Sequence, residues 1–200
     1  MRFVRSILAV LMISIFPISV CAQITTRQVT QFEKDAKKEA KVLKKEGWKV
    51  PAGSFSIERQ LTQAYQLQSE VDMDRQPKYN FGQAISRGSF YDAAKMQAVE
   101  LAKADLAGNI LTDLTTIVST KLENRQISSD KANSASEIIR EGEAVVSQKL
   151  DSPIQLVEIY RTLKDGTVEV QIRLAYDKEK GIRKGLDALS LEFEKEGVEL

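Results

Sequence analysis

The chain has 200 residues, 42% of them hydrophobic, with 29 basic against 28 acidic residues, no histidine and one cysteine. That size and apolar fraction suit a soluble globular protein of one domain or two small ones. Without histidine there is no Ser-His-Asp or Cys-His catalysis and no histidine-ligated zinc, and interspersed charges of both signs give no basic face for nucleic acid.

Arg2 and Arg5 precede an apolar run from Ile7 to Phe16, and Pro17 opens a more polar stretch ending in Val20-Cys21-Ala22. This is the pattern of a signal peptide over 1–22, with compact side chains at Val20 and Ala22 for cleavage before Gln23. The apolar run is shorter than the roughly 20 residues that span a bilayer. The expectation is an exported protein, periplasmic or associated with the outer envelope. Lipidation at Cys21 is the less favoured alternative, because Val20 stands where a lipidated cysteine is normally preceded by Gly, Ala or Ser. Cleavage after Ala22 removes Cys21, which leaves the mature chain without thiolate chemistry or a disulfide.

Residues 25–46 read as a charged helix with Phe32, Ala36, Ala40 and Leu43 on a narrow apolar stripe, stopped by Gly47 and Pro51. Trp48, in this stop, is expected to anchor the helix to the core. Ser56 N-caps a second amphipathic helix over about 57–74, and the two helices pair antiparallel across the short connection. In KYNFGQAISRG, residues 78–88, the large Tyr79, Phe81 and Ile85 alternate with the small Gly82 and Ala84. A strand crowded on one face by a packed helix has this pattern.

A long helix follows over about 90–122. Ala94, Ala98, Ala102, Leu106, Ile110, Leu114 and Val118 recur at every fourth position. Four residues advance a helix by 400°, so this line drifts around the axis as an i±4n packing ridge. Leu101, Ala107, Leu111 and Ile117 are expected to widen it, with Lys103 and Asp105 at the rim. The small N-terminal half admits a close neighbour and the bulky half fills a thicker core. Residues 123–136 are polar, and another helix is expected over 131–149. From Pro153, Ile154, Leu156, Glu158 and Tyr160 alternate with Val157 and Ile159; Asp165-Gly166 marks a hairpin. Val168, Val170, Ile172, Leu174 and Tyr176 then define one buried face, with Glu169, Gln171 and Arg173 expected on a wet one. A last helix covers about 178–196.

This order of G-x-A strand (Gly82-Gln83-Ala84), alanine-ridged helix ending in LAGNI, polar helical insert and DGTVEVQIRL hairpin resembles the LPP-type family of small bacterial membrane-associated lipoproteins. It is similar too to the N-terminal domain of a flagellar assembly protein. The resemblance covers about 79–176 and implies an α+β layer fold in the cell envelope with no catalytic residues to carry over. Val20 departs from the lipobox that such a family uses for anchoring.

Three local clusters carry residue types that could do chemistry. Ser128-Ser129-Asp130-Lys131 has S-x-x-K spacing but no K-T-G or S-D-N partner, so a solvated helix start is expected. Glu70, Asp72 and Asp74 lack the glycine and bidentate glutamate of a calcium loop. The lysines at 34, 37, 38, 41, 44 and 45 are diluted by Glu33, Asp35, Glu39 and Glu46, as Glu33–Lys37 and Glu39–Lys38/Lys41 surface pairs.

The reading is therefore an α+β fold: a small antiparallel sheet on the long alanine-ridged helix, with a helical segment at 23–75 and the lipoprotein-like part with its C-terminal helix at 76–200. No catalytic, cofactor-binding or metal-ligating residue is expected, and no cofactor. The expected function is non-enzymatic, a protein-interaction or structural module of the cell envelope. Its partner is an envelope protein or a second copy, not nucleic acid, with peripheral membrane contact the weaker reading. The alternative is a small-ligand binder using room left by the small side chains at 94–102.

Overall fold

The computed structural model describes residues 26–124 and 128–198. The expected signal peptide, with Val20 and Cys21, lies outside them. In chain order the described residues form α1 (Thr26–Lys45), α2 (Ile57–Ser69), β1 (Tyr79–Gly88), α3 (Tyr91–Asn124), α4 (Ser129–Glu141), α5 (Glu143–Lys149), β2 (Ile154–Thr162), β3 (Val168–Asp177) and α6 (Lys178–Lys195). The strands make one antiparallel sheet in the order β1-β3-β2. This is the expected α+β architecture, with a helical pair leading and a helix closing.

Local chemistry sets the boundaries. Gly47 (φ 88°) ends α1, and the Ser56 hydroxyl accepts from the Arg59 N–H at 3.3 Å to cap α2. The second helix stops at Ser69 rather than 74. The Asp72 carboxylate accepts from the N–H groups of Asp74 (2.9 Å) and Gln76 (2.8 Å), and this turn competes with continued helix. The helix expected over 131–149 is two helices, parted at Gly142, which packs against Leu189 of α6.

All seven residues of the α3 ridge are buried. Its alanine half lies under β1. An added Cβ at Gly82 would meet the Ala102 carbonyl oxygen at 2.3 Å, and one at Gly88 would meet the Ala94 nitrogen at 2.8 Å. Its bulky half meets α6 instead, where Ile110 faces Gly181 and Leu114 faces Gly185. Ala107 and Leu111 widen the ridge as expected, whereas Leu101 is 46% exposed. Ala102→Leu is expected to lower stability by roughly 1–3 kcal/mol through overpacking, read as a lower denaturation midpoint. An unchanged midpoint would place Ala102 outside the strand–helix contact.

The sheet has a core on each face. Val170, Ile172, Leu174 and Tyr176 pack with α3, α4, α5 and α6. Ala175, Ile159, Val157 and Leu156 pack with Ala36, Ala40, Trp48, Ile57, Leu61 and Ala64 of the α1–α2 region. The second face is thus covered, contrary to the wet face expected there: Gln171 is 8% exposed and Ala175 fully buried. The alternation in β2 is also interrupted. A bulge between Gln155 and Val157 turns Leu156 to the same side as Val157, away from Glu158 and Tyr160. Trp48 is buried in this second core, with the Arg161 guanidinium 4.6 Å from its ring centroid.

Candidate functional site

In an antiparallel strand, residues alternate between bonding the neighbour and turning their backbone groups away. The Lys178 N–H donates to the Lys78 carbonyl at 2.9 Å, continuing the β1–β3 ladder, so the even-numbered residues of β1 bond β3. Phe81, Gln83, Ile85 and Arg87 direct their backbone groups outward. An open row of such groups is a template for another strand.

Helix side chains and one loop segment cap parts of both sheet edges. On β1, the Gln83 N–H donates to Asp105 Oδ2 at 2.8 Å, and Asn109 Nδ2 donates to the Phe81 carbonyl at 2.8 Å. Asp105 and Asn109 are one helical turn apart on α3, which matches their reach to successive outward residues. On β2, Lys49 exchanges two backbone bonds with Tyr160 (2.7 and 2.9 Å), and Gln60 Oε1 accepts from the Glu158 N–H at 2.8 Å. Gln60, on α2, is itself held by donating to the Phe55 carbonyl. Among the described residues, the outward groups of Ile85 and Arg87 have no such cover.

Ile85 and Leu101 flank this gap. The Ser86 hydroxyl donates to Gln97 Oε1 at 2.6 Å, and Asp105 holds Gln83, so Leu101 lies midway along the α3 ridge that follows β1. The Ile85 side chain, on the opposite sheet face, is 55% exposed beyond the reach of α2. The Arg87 guanidinium turns to the β2–β3 hairpin, donating to Thr167 Oγ1 at 2.7 Å and pairing with Asp165.

Beside the guarded part of the edge is a pocket of about 220 Å³, lined among others by Gln68, Phe81, Gln83, Asp105, Asn109 and Arg173. The Arg173 guanidinium donates to Glu39 Oε1 at 2.8 Å while its Nε–H is buried without an acceptor. Tyr65 donates its hydroxyl to the same Glu39 carboxylate. Burial and that neighbouring carboxylate push the Tyr65 phenol up to about 12.

A second polar cluster lies on the α3 face. Glu158 accepts from Gln155 Nε2 at 2.5 Å and from the Tyr91 hydroxyl, and pairs with Lys95 Nζ at 2.6 Å. Burial raises the Glu158 carboxyl, but Lys95, Tyr91 and Gln155 outweigh it and hold the group below its ordinary value.

The clusters singled out in the sequence are engaged elsewhere. Lys131 donates to the Gly197 carbonyl at 2.8 Å, not to Ser128, which stands at the start of α4 without a side-chain capping bond. Glu70 pairs with Lys78, and the Asp72 carboxylate is taken by its own turn. On α1, Lys38 pairs with Asp35 and Lys44 with Glu58. The expected Glu39–Lys38/Lys41 pairs do not form, because Glu39 faces the sheet and meets Arg173; no Glu33–Lys37 pair forms among the described residues either. The small side chains at 94–102 leave no cleft, since β1 fills the space above them.

No helix among the described residues is long and apolar enough to cross a membrane. No family model, curated protein or solved structure matches the chain.

Proposed function

We propose that this chain is a non-enzymatic, exported protein-interaction module of the cell envelope, and that the outer edge of β1 at Ile85–Arg87 is its docking element. The observation that carries the reading is that neither outward residue of this stretch is capped, whereas Phe81, Gln83 and Glu158 are each capped through one backbone group and Tyr160 through two. The signal-peptide pattern at 1–22 and the resemblance to envelope lipoproteins supply the compartment. An extended segment of another envelope protein gains main-chain hydrogen bonds from Ile85 and Arg87 and apolar contact from Ile85 and Leu101, the strand-addition mode of recognition.

Ile85→Pro tests it. The Ile85 N–H points away from β3, so proline removes a donor that the β1–β3 ladder does not use, and folded stability should stay within about 1 kcal/mol. A photo-crosslinking residue at Leu101 should capture an envelope protein in the native envelope, and Ile85→Pro should abolish the adduct. The same residue at Leu191, exposed on α6, should capture nothing specific. An adduct that survives Ile85→Pro, or equal capture from position 191, would sink the proposal. An adduct containing two copies of the chain would replace the envelope partner by self-association.

A further inference from the structure

The pocket beside β1 has hydrogen-bonding capacity that the protein leaves unused. Asp105 engages Oδ2 with the Gln83 N–H and keeps Oδ1; Asn109 engages Nδ2 with Phe81 and keeps its carbonyl oxygen. The Gln68 and Gln83 side-chain amides make no hydrogen bond within the described residues. The Arg173 Nε–H is buried out of reach of the pocket, so the donors there are the Gln68 and Gln83 amides. Acceptors and donors therefore line one pocket, with Phe81 and Leu156 as its apolar wall.

Charge disfavours an anionic ligand at these groups. Arg173 is already neutralised by Glu39, and Asp105 is the other charged residue of the lining. A carboxylate or phosphate would meet Asp105 with no free cation to receive it. A hydroxyl donates and accepts at once, so it meets both kinds of group in the wall. The volume, about 220 Å³, falls below the roughly 300–1,000 Å³ of sites for drug-sized ligands, which suits one small ring rather than a chain. We infer that this pocket binds a neutral polyhydroxylated ligand of about one sugar ring, held between Gln68, Gln83, Asp105 and Asn109.

Two-dimensional NMR of the full chain tests the inference, because the side-chain amides of Gln68, Gln83 and Asn109 report directly. Methyl glucoside and N-acetylglucosamine are the neutral probes, acetate the anion and methylammonium the cation. At least one neutral sugar should move those three amide signals and the Gly82 signal saturably, with the two ions leaving them in place. The double variant Gln68→Ala/Gln83→Ala, altering two exposed side chains, should weaken that sugar by about tenfold at unchanged thermal stability. Absence of saturable shifts with both sugars overturns the inference. So does tighter binding of acetate or methylammonium, or undiminished affinity in the double variant. Ile85→Pro lies outside the pocket lining, so failure of this site and failure of the docking edge are distinguishable.

Discussion

Gly82→Ala should lower the free energy of unfolding by at least about 3 kcal/mol, above the ordinary range for a single added methyl in a core. The new Cβ would lie 2.3 Å from the Ala102 carbonyl oxygen and 2.6 Å from both the nitrogen and Cβ of Leu106. Two of those three atoms are helix backbone, which cannot rotate away as a side-chain end does. Strand and helix must separate, and that loosens the contact along the alanine half of the ridge. Gly108 provides the internal control, since a Cβ there meets nothing within 4 Å. Gly108→Ala removes a glycine from a helix interior and should stabilise by roughly 0.5–1 kcal/mol. Urea denaturation of both variants decides the matter: a Gly82→Ala midpoint close to that of Gly108→Ala would refute the close packing of β1 on α3.

The same contact shows what could be read from residues alone. The ridge was legible because helical period and side-chain size vary together along it, small under a strand and large against α6. Glycine and alanine in β1 gave the matching half of that contact. The hairpin was legible from Asp165-Gly166, where Gly166 adopts φ 83°. The second buried face was not, because Gln171 and Arg173 are polar and alternate as solvent-facing residues do. Polar groups can be covered when partners satisfy them, and the partner of Arg173 is Glu39, 134 positions away. Periodicity carries no information about such a partner. The bulge at Leu156 was hidden for a related reason: it changes the facing of one residue without changing composition. The open stretch of the β1 edge depends on which backbone groups point outward, a property of register. Only the i, i+4 spacing of Asp105 and Asn109 on α3 hints that one ridge attends a strand edge. The pocket joins α2, β1, α3, β2 and β3, so no local stretch could announce it.

Replacing Lys95 with Met should cost about 2–3 kcal/mol at neutral pH, and the loss should shrink as the solution is acidified. The Glu158 side chain is 9% exposed and Lys95 is 38% exposed. Breaking a fully buried pair costs about 3–5 kcal/mol, and partial access of solvent to Lys95 reduces that figure. In the native protein the Glu158 carboxyl is held below its ordinary value near 4.5. A depressed folded-state value means that the ionised form contributes stability above about pH 4.5 and loses it as pH falls through the folded-state value. Without Lys95, burial is opposed only by the Tyr91 hydroxyl and Gln155, and the folded-state value rises. The variant then keeps an under-compensated carboxylate at neutral pH and is relieved when that carboxylate takes a proton. Wild type and variant should converge in stability only once the pH has fallen below the depressed wild-type value, where the carboxyl is neutral in both. Glu158→Gln should flatten this part of the wild-type pH profile, since an amide cannot titrate. Urea denaturation of the three proteins at a series of pH values makes the comparison. A Lys95→Met penalty that stays constant across the acid range would mean that Lys95 acts through the packing of its methylenes against Tyr91, and the Glu158 charge would have no part in it.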